Sequence, residues 1–135
     1  NTEDWVKVEF AVHSGATETV MSEAMLENVE TKEGAASRRG VLYEVANGVR
    51  IPNEGEKRFV AYTDEHSDGK EVVAQICNVN KALLSVRRMV AAGNMVVFSP
   101  EENYILSLQT GERMELAEKD GMYMVDMWVN GNGCF

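Results

Sequence analysis

Apolar and polar side chains alternate along residues 5–12, with Val6, Val8, Phe10 and Val12 on one side and Lys7 and Glu9 on the other. A period of two built on β-branched residues predicts a half-buried strand. The run His13-Ser14-Gly15-Ala16 ends that strand with a turn-forming glycine. Residues 17–28, which include Glu18, Val20, Met21, Met25 and Leu26, fit a short helix or an irregular loop, and the polar stretch 30–40 reads as a loop. Alternation returns at 41–45. Asn47-Gly48 is a hairpin signal because both positions tolerate positive φ. The return arm, through Val49, Arg50 and Ile51, stops at Pro52, which cannot donate to a ladder. Residues 58–63 and 71–79 predict a second hairpin around the polar loop 64–70. Residues 82–92, rich in Leu, Ala and Met, predict one short helix stopped by Gly93-Asn94. Short strands follow at 95–98, 104–108, 114–117 and 122–129, separated by polar turns, so C-terminal β-hairpins close the chain.

This pattern predicts a mainly β domain with a single short helix. Its 135 residues suit one domain, with a core expected over about 5–129 and a flexible C-terminal tail over 130–135. Hydrophobic residues make up 44% and charged residues 26%, which separates the chain from disordered sequences. No internal repeat and no low-complexity segment is present. The longest apolar stretches, such as 95–98, fall far short of a bilayer span, so no transmembrane segment is expected. The first residue is Asn, and no charged leader with a hydrophobic run precedes the first strand. This start suggests a processed product or a fragment of a longer precursor, and the compartment is not readable from the chain.

Charge narrows the partners. A net charge of −9 repels a polyanion, and the pairs Arg38-Arg39 and Arg87-Arg88 are too small to override that field. Nucleic-acid binding is therefore not expected. The two cysteines, Cys77 and Cys134, have neither disulfide-framework nor metal-site spacing, and His13 and His66 have no Cys or carboxylate at ligand spacing. No metal and no cofactor are expected. Met114, Met122, Met124 and Met127 fit either core or an interface, since Met adapts to irregular contacts.

Two segments about 70 residues apart carry further information. The first is the hydrophobic strand running into His13-Ser14-Gly15-Ala16-Thr17. The second is Ala82-Leu83-Leu84-Ser85-Val86, a helical stretch, Gly93, and then Met95-Val96-Val97-Phe98. Together with Asn47-Gly48 between them and Gly121-Met122-Tyr123 after them, the chain resembles the retropepsin-type aspartic proteases. The wording is closest to the protease region of copia-type retrotransposon polyproteins. The likeness covers roughly residues 5–129 and rests on the order and spacing of the motifs. It implies an acid-protease β-barrel, with a catalytic loop at His13, Ser14 and Gly15. It also implies a binding surface at Ala16, at the flap-turn residues Ala46, Asn47 and Gly48, and at Leu84 and Ser85.

The family's chemistry requires two aspartates, usually one from each subunit of a homodimer, that share a proton and activate a bridging water. Here His13 stands where the resemblance places the aspartate. An imidazole offers one lone pair or one proton, and two facing imidazoles do not reproduce a coplanar carboxylate pair. No Asp or Glu is placed in sequence to orient His13, and Ser14 points away from it as the next residue along the chain. Ser85 and Val86 are milder departures, standing where the family prefers Gly and commonly has Arg. The expectation is a pseudoprotease that acts through protein–protein contacts, as a subunit of a larger assembly or as a homodimer. One alternative is an active homodimeric aspartic endopeptidase processing a retrotransposon-type polyprotein. Another is a domain that binds peptides in the old cleft without cutting.

Overall fold

A computed structural model describes residues 5–44, 47–64 and 67–130 of the chain. Ala46 of the expected flap turn, His66, Cys134 and the expected tail beyond residue 130 lie outside the described residues.

The first alternating run is β1 (Trp5–His13), which turns Val8, Phe10 and Val12 into the core and leaves His13 exposed at its end. A loop leads to β2 (Val20–Met21), and a single 3-10 turn follows at Glu23–Leu26. The stretch read as a loop contains one turn of helix, α1 (Ala35–Arg38). The hairpin expected at Asn47-Gly48 is β3 (Leu42–Glu44) paired with β4 (Arg50–Pro52), ending at the proline. Next come β5 (Gly55–Tyr62) and β6 (Lys70–Ile76), paired along their whole lengths.

The helix expected over 82–92 is shorter than its composition predicts. Ala82–Ser85 forms a strand, β7, and only Val86–Ala91 is helical, as α2. The reason is tertiary. β7 lies between β1, to which it runs parallel, and β2, to which it runs antiparallel, and Ala82, Leu84 and Ser85 are buried there. Helix propensity yields to that burial because so short an apolar run, Ala82-Leu83-Leu84, carries no period of its own. Ser85 then caps α2 by accepting the Arg88 N–H at 3.2 Å, and Gly93, at φ 93°, ends it.

The remainder is β8 (Asn94–Phe98), β9 (Asn103–Ser107), β10 (Arg113–Glu115), β11 (Ala117–Lys119) and β12 (Met122–Asn130). Six strands close a barrel in the order β1–β7–β2–β6–β5–β12, with β12 pairing back to β1 and β11 added outside β12. Strands β8, β9 and β10 form a separate antiparallel sheet, and β3 with β4 forms another. Ile105, Met114 and Leu116 join the barrel's own Phe10, Phe59, Ile76 and Val129 in one core. Met114 and Met127 are buried in that core, while Met122 and Met124 are half-buried. No helix among the described residues is long and apolar enough to cross a membrane.

One core position is a cation. In β5, Gly55, Lys57, Phe59 and Ala61 all face inward, and the Lys57 side chain is 0% exposed. Its Nζ donates to the carbonyls of Leu26 and Val29, both at 2.7 Å, and lies 3.2 Å from Glu23 Oε2. Three donors thus meet three oxygens, the condition under which an ammonium tolerates burial. The bonds pin the 3-10 turn and its following loop onto the barrel. The Thr31 hydroxyl donates to Glu23, and with the nearby ammonium it holds that carboxyl below its usual range despite an opposing desolvation.

Candidate functional site

The loop after β1 is built around its first residue. The Gly15 N–H donates to His13 Nδ1 at 2.9 Å, and Ala16 N donates to the His13 carbonyl at 3.4 Å. A side-chain acceptor at position i taking the N–H at i+2 is the bond by which Asp or Asn makes an Asx turn. Here the imidazole takes the carboxylate's place in that turn. With Nδ1 occupied as an acceptor, the neutral ring carries its proton on Nε2. The approach is close: a Cβ on Gly15 would come within 2.9 Å of His13 Cε1, so only glycine leaves this ring position free.

Two ties hold the far side of the loop. Ser85 Oγ donates to the Ala16 carbonyl at 2.7 Å, while the Ser85 N–H donates to Thr19 Oγ1 at 3.1 Å. One buried serine therefore caps α2 and fastens the loop after β1, which ends alongside it in the parallel register of His13 with Ser85. Second, Glu18 accepts two hydrogen bonds from Arg88 of α2, one from Nε at 3.0 Å and one from Nη2. This pair is partly solvent-exposed, Arg88 more than Glu18, and adds alignment more than stability.

Across from the loop stands the β3–β4 hairpin. Val49 N donates to Asn47 Oδ1 at 3.0 Å and Gly48 has φ 83°, so the glycine takes a left-handed position and the asparagine serves through its side chain. Glu44 pairs with Arg50, so the connection is longer than the two-residue turn the sequence suggests. Its base is anchored by Asn53, whose side-chain amide donates to the Tyr43 hydroxyl at 3.0 Å and to Gln75 Oε1 at 2.8 Å. Burial pushes the Tyr43 phenol above its usual range, against the lowering pull of the Asn53 bond.

Between loop and hairpin lies an open groove of about 530 Å³, lined by His13, Gly15, Ala16 and Thr17 on one side and Tyr43 and Glu44 on the other. Val20, Cys77, Val79 and Leu83 contribute to it as well. Cys77 is buried, and desolvation, with the Glu54 charge adding to it, pushes its thiol up to about 11. A thiol protonated at neutral pH is no nucleophile. Of the groove's two carboxylates, Glu44 is exposed on the hairpin and Glu18 has both oxygens engaged by Arg88. Among the described residues, no group of three or more His, Cys, Asp or Glu is placed to hold a metal.

The structure thus brings His13, Gly15 and Ala16 to one groove with the hairpin. Ser14 is exposed on the same loop, and Asn47 and Gly48 are exposed at the hairpin's tip. Leu84 and Ser85, expected at the binding surface, are both buried. Leu84 faces the core, its neighbour Leu83 lines the groove, and Ser85 is fully buried beneath the loop. The alternation of β7 decides which of two adjacent leucines meets the groove, and a helical reading of 82–92 hides it. Sequence reasoning also missed Tyr43, Cys77 and Val79. Tyr43 carried a usable signal, its place beside the Asn-Gly turn, whereas Cys77 and Val79 reach the groove only through the pairing of β6 with β2. Compared with protein-family models, with curated proteins and with solved structures, the chain matches none.

Proposed function

We propose that this domain is a non-catalytic module of retropepsin type that acts through protein–protein contacts, taking an extended segment of a partner protein into the groove beside His13. The observation that carries the reading is the Gly15 N–H bond to His13 Nδ1. It supports a loop that keeps the architecture of an aspartate-bearing turn while the acid itself is gone. Hydrolysis by two carboxylates needs one to remain ionised and the other protonated across a shared water. An imidazole whose Nδ1 is already an acceptor has only Nε2–H left to offer, and a fixed donor suits a peptide carbonyl. Tyr43, Val79 and Leu83 give the same groove apolar walls for side chains.

The experiment is a cleavage and binding assay with a mixed peptide library, at acidic and neutral pH, on this chain and on His13→Asp. The expected result is binding without cleavage by the native chain and cleavage by the variant. An Asp can take the same Gly15 N–H, so the turn survives the change. Cleavage by the native chain, blocked by an acid-protease inhibitor, overturns the reading in favour of an active homodimeric endopeptidase. Absence of both binding and cleavage in the native chain removes the groove as its working surface.

A further inference from the structure

Five strands of the described residues present an unpaired edge: β3, β4, β8, β10 and β11. Four of them carry the features that discourage edge-to-edge pairing, namely a charge or a proline. These are Glu44 in β3, Arg50 and Pro52 in β4, Arg113 and Glu115 in β10, and Glu118 and Lys119 in β11. The exception is β8, Asn-Met-Val-Val-Phe. It sits in a run from 89 to 100 without a single charged residue, in a chain where 26% of residues are charged. Exposed apolar side chains gather around it as well, with Met95 and Phe98 on the strand, Val90 in α2 before it, and Leu108, 65% exposed, just past β9 and bonded to Gly93.

The backbone pattern says which groups the open edge offers. Leu108 N donates to the Gly93 carbonyl at 3.0 Å, and Ser99 N donates to the Glu102 carbonyl at 3.1 Å. Both pairs continue the β8–β9 register, which sets Asn94 opposite Ser107 and Phe98 opposite Asn103. Bonded pairs alternate along an antiparallel ladder. The Gly93 carbonyl, both groups of Met95 and Val97, and the Ser99 N–H therefore point at β9, the Gly93 N–H being taken by the Val90 carbonyl. Asn94, Val96 and Phe98 direct their N–H and C=O groups away from β9.

We propose that two copies of this chain associate through the open edge of β8, running antiparallel about a two-fold axis at Val96. The three outward residues are symmetric about that centre. Asn94 meets Phe98 of the second copy, Val96 meets Val96, and Phe98 meets Asn94, giving roughly six hydrogen bonds in three bonded pairs. On the face away from the barrel, Met95 of each copy lies beside Val97 of the other. A second copy is favoured because this seam is the uncharged part of a chain that carries −9, so the contact brings together no like charges of its own. Self-association here stands apart from the groove reading and holds whether or not the groove binds anything.

The test is analytical ultracentrifugation of the whole chain from about 1 µM to about 1 mM, the range in which a small edge contact is expected to act. Amide hydrogen exchange at both ends of that range completes it. The expected result is a monomer–dimer equilibrium in which the amides of Asn94, Val96 and Phe98 become at least about tenfold more protected at high concentration. Those of Met95 and Val97, already bonded to β9, change little. Met95→Lys places two like charges diagonally across the seam at an exposed position and should weaken association at least about tenfold without altering the circular-dichroism spectrum. A monomer throughout overturns the proposal. So does a dimer in which the three alternate amides stay unprotected, or a folded Met95→Lys chain that associates like the parent.

Discussion

Lys57 and His13 are both basic side chains on barrel strands, and both are held by groups of the main chain, yet the barrel uses them in opposite ways. Lys57 gives all three of its N–H donors to oxygens inside the fold and shows no surface. His13 has one ring nitrogen engaged, by the N–H of Gly15, and stays exposed at the end of β1, the other making no hydrogen bond among the described residues. A polar side chain whose capacity is exhausted within the fold works as a structural tie. One that is oriented by a single bond and left with capacity to spare works as a presented group. Buried or not, it is the unspent hydrogen-bonding capacity that separates the two.

That contrast can be broken in order of effect. Lys57→Met should cost about 3–5 kcal/mol in urea unfolding, because Leu26 O, Val29 O and Glu23 lose their common partner in the core. A loss below about 1 kcal/mol would mean that the ammonium is not the tie described here. Next, Ser85→Ala should cost about 1–2 kcal/mol, since it removes both the α2 cap and the bond to Ala16. Faster exchange of the Arg88 amide would locate the damage, and an unchanged amide would place it elsewhere.

The third test uses pH. The Glu23 carboxyl is held below its usual range in the fold, chiefly by the Thr31 hydroxyl. Its stabilisation is therefore complete above the ordinary carboxylate range and is lost as pH falls through the lowered folded value. Glu23→Gln should accordingly show a shallower loss of stability on acidification than the parent, and an identical slope would mean that Thr31 and Lys57 together do not favour the charged Glu23 carboxylate. Smallest is His13→Asp, expected to stay within about 0.5 kcal/mol of the parent because the site is exposed and the turn bond is replaced. Imidazole nitrogen NMR of the parent sharpens the point: the neutral ring should carry its proton on Nε2, and a proton on Nδ1 would contradict the Gly15 bond.

Much of the barrel was readable from alternation alone, because β1, β5 and β12 are long, bury one face and let every second residue declare itself. The Asn47-Gly48 hairpin was readable from turn chemistry. β7 was not. Three apolar residues and a serine look alike in a strand and in a buried helix, and what decides between them is a slot between β1 and β2 that forms only in three dimensions. Lys57 left a faint sign, its place in step with the inward-facing Phe59 and Ala61, but charge ordinarily argues for the surface. At the site, the loop residues were legible from their order along the chain. The walls were not, because Cys77 and Leu83 are delivered by strands whose neighbours lie far away in sequence.

The seam between β1 and β12 has a mechanical consequence. Trp5 pairs with Asn130, so the polypeptide enters and leaves the domain at neighbouring points, with α-carbons about 5 Å apart. A host chain could carry the whole barrel between two adjacent positions, as it would a bulky side branch, without being forced to change course. Tension along such a host would pull the two strands apart from that end, loading one rung at a time. The barrel would then open like a zip fastener, under far less force than shearing all the rungs together would need.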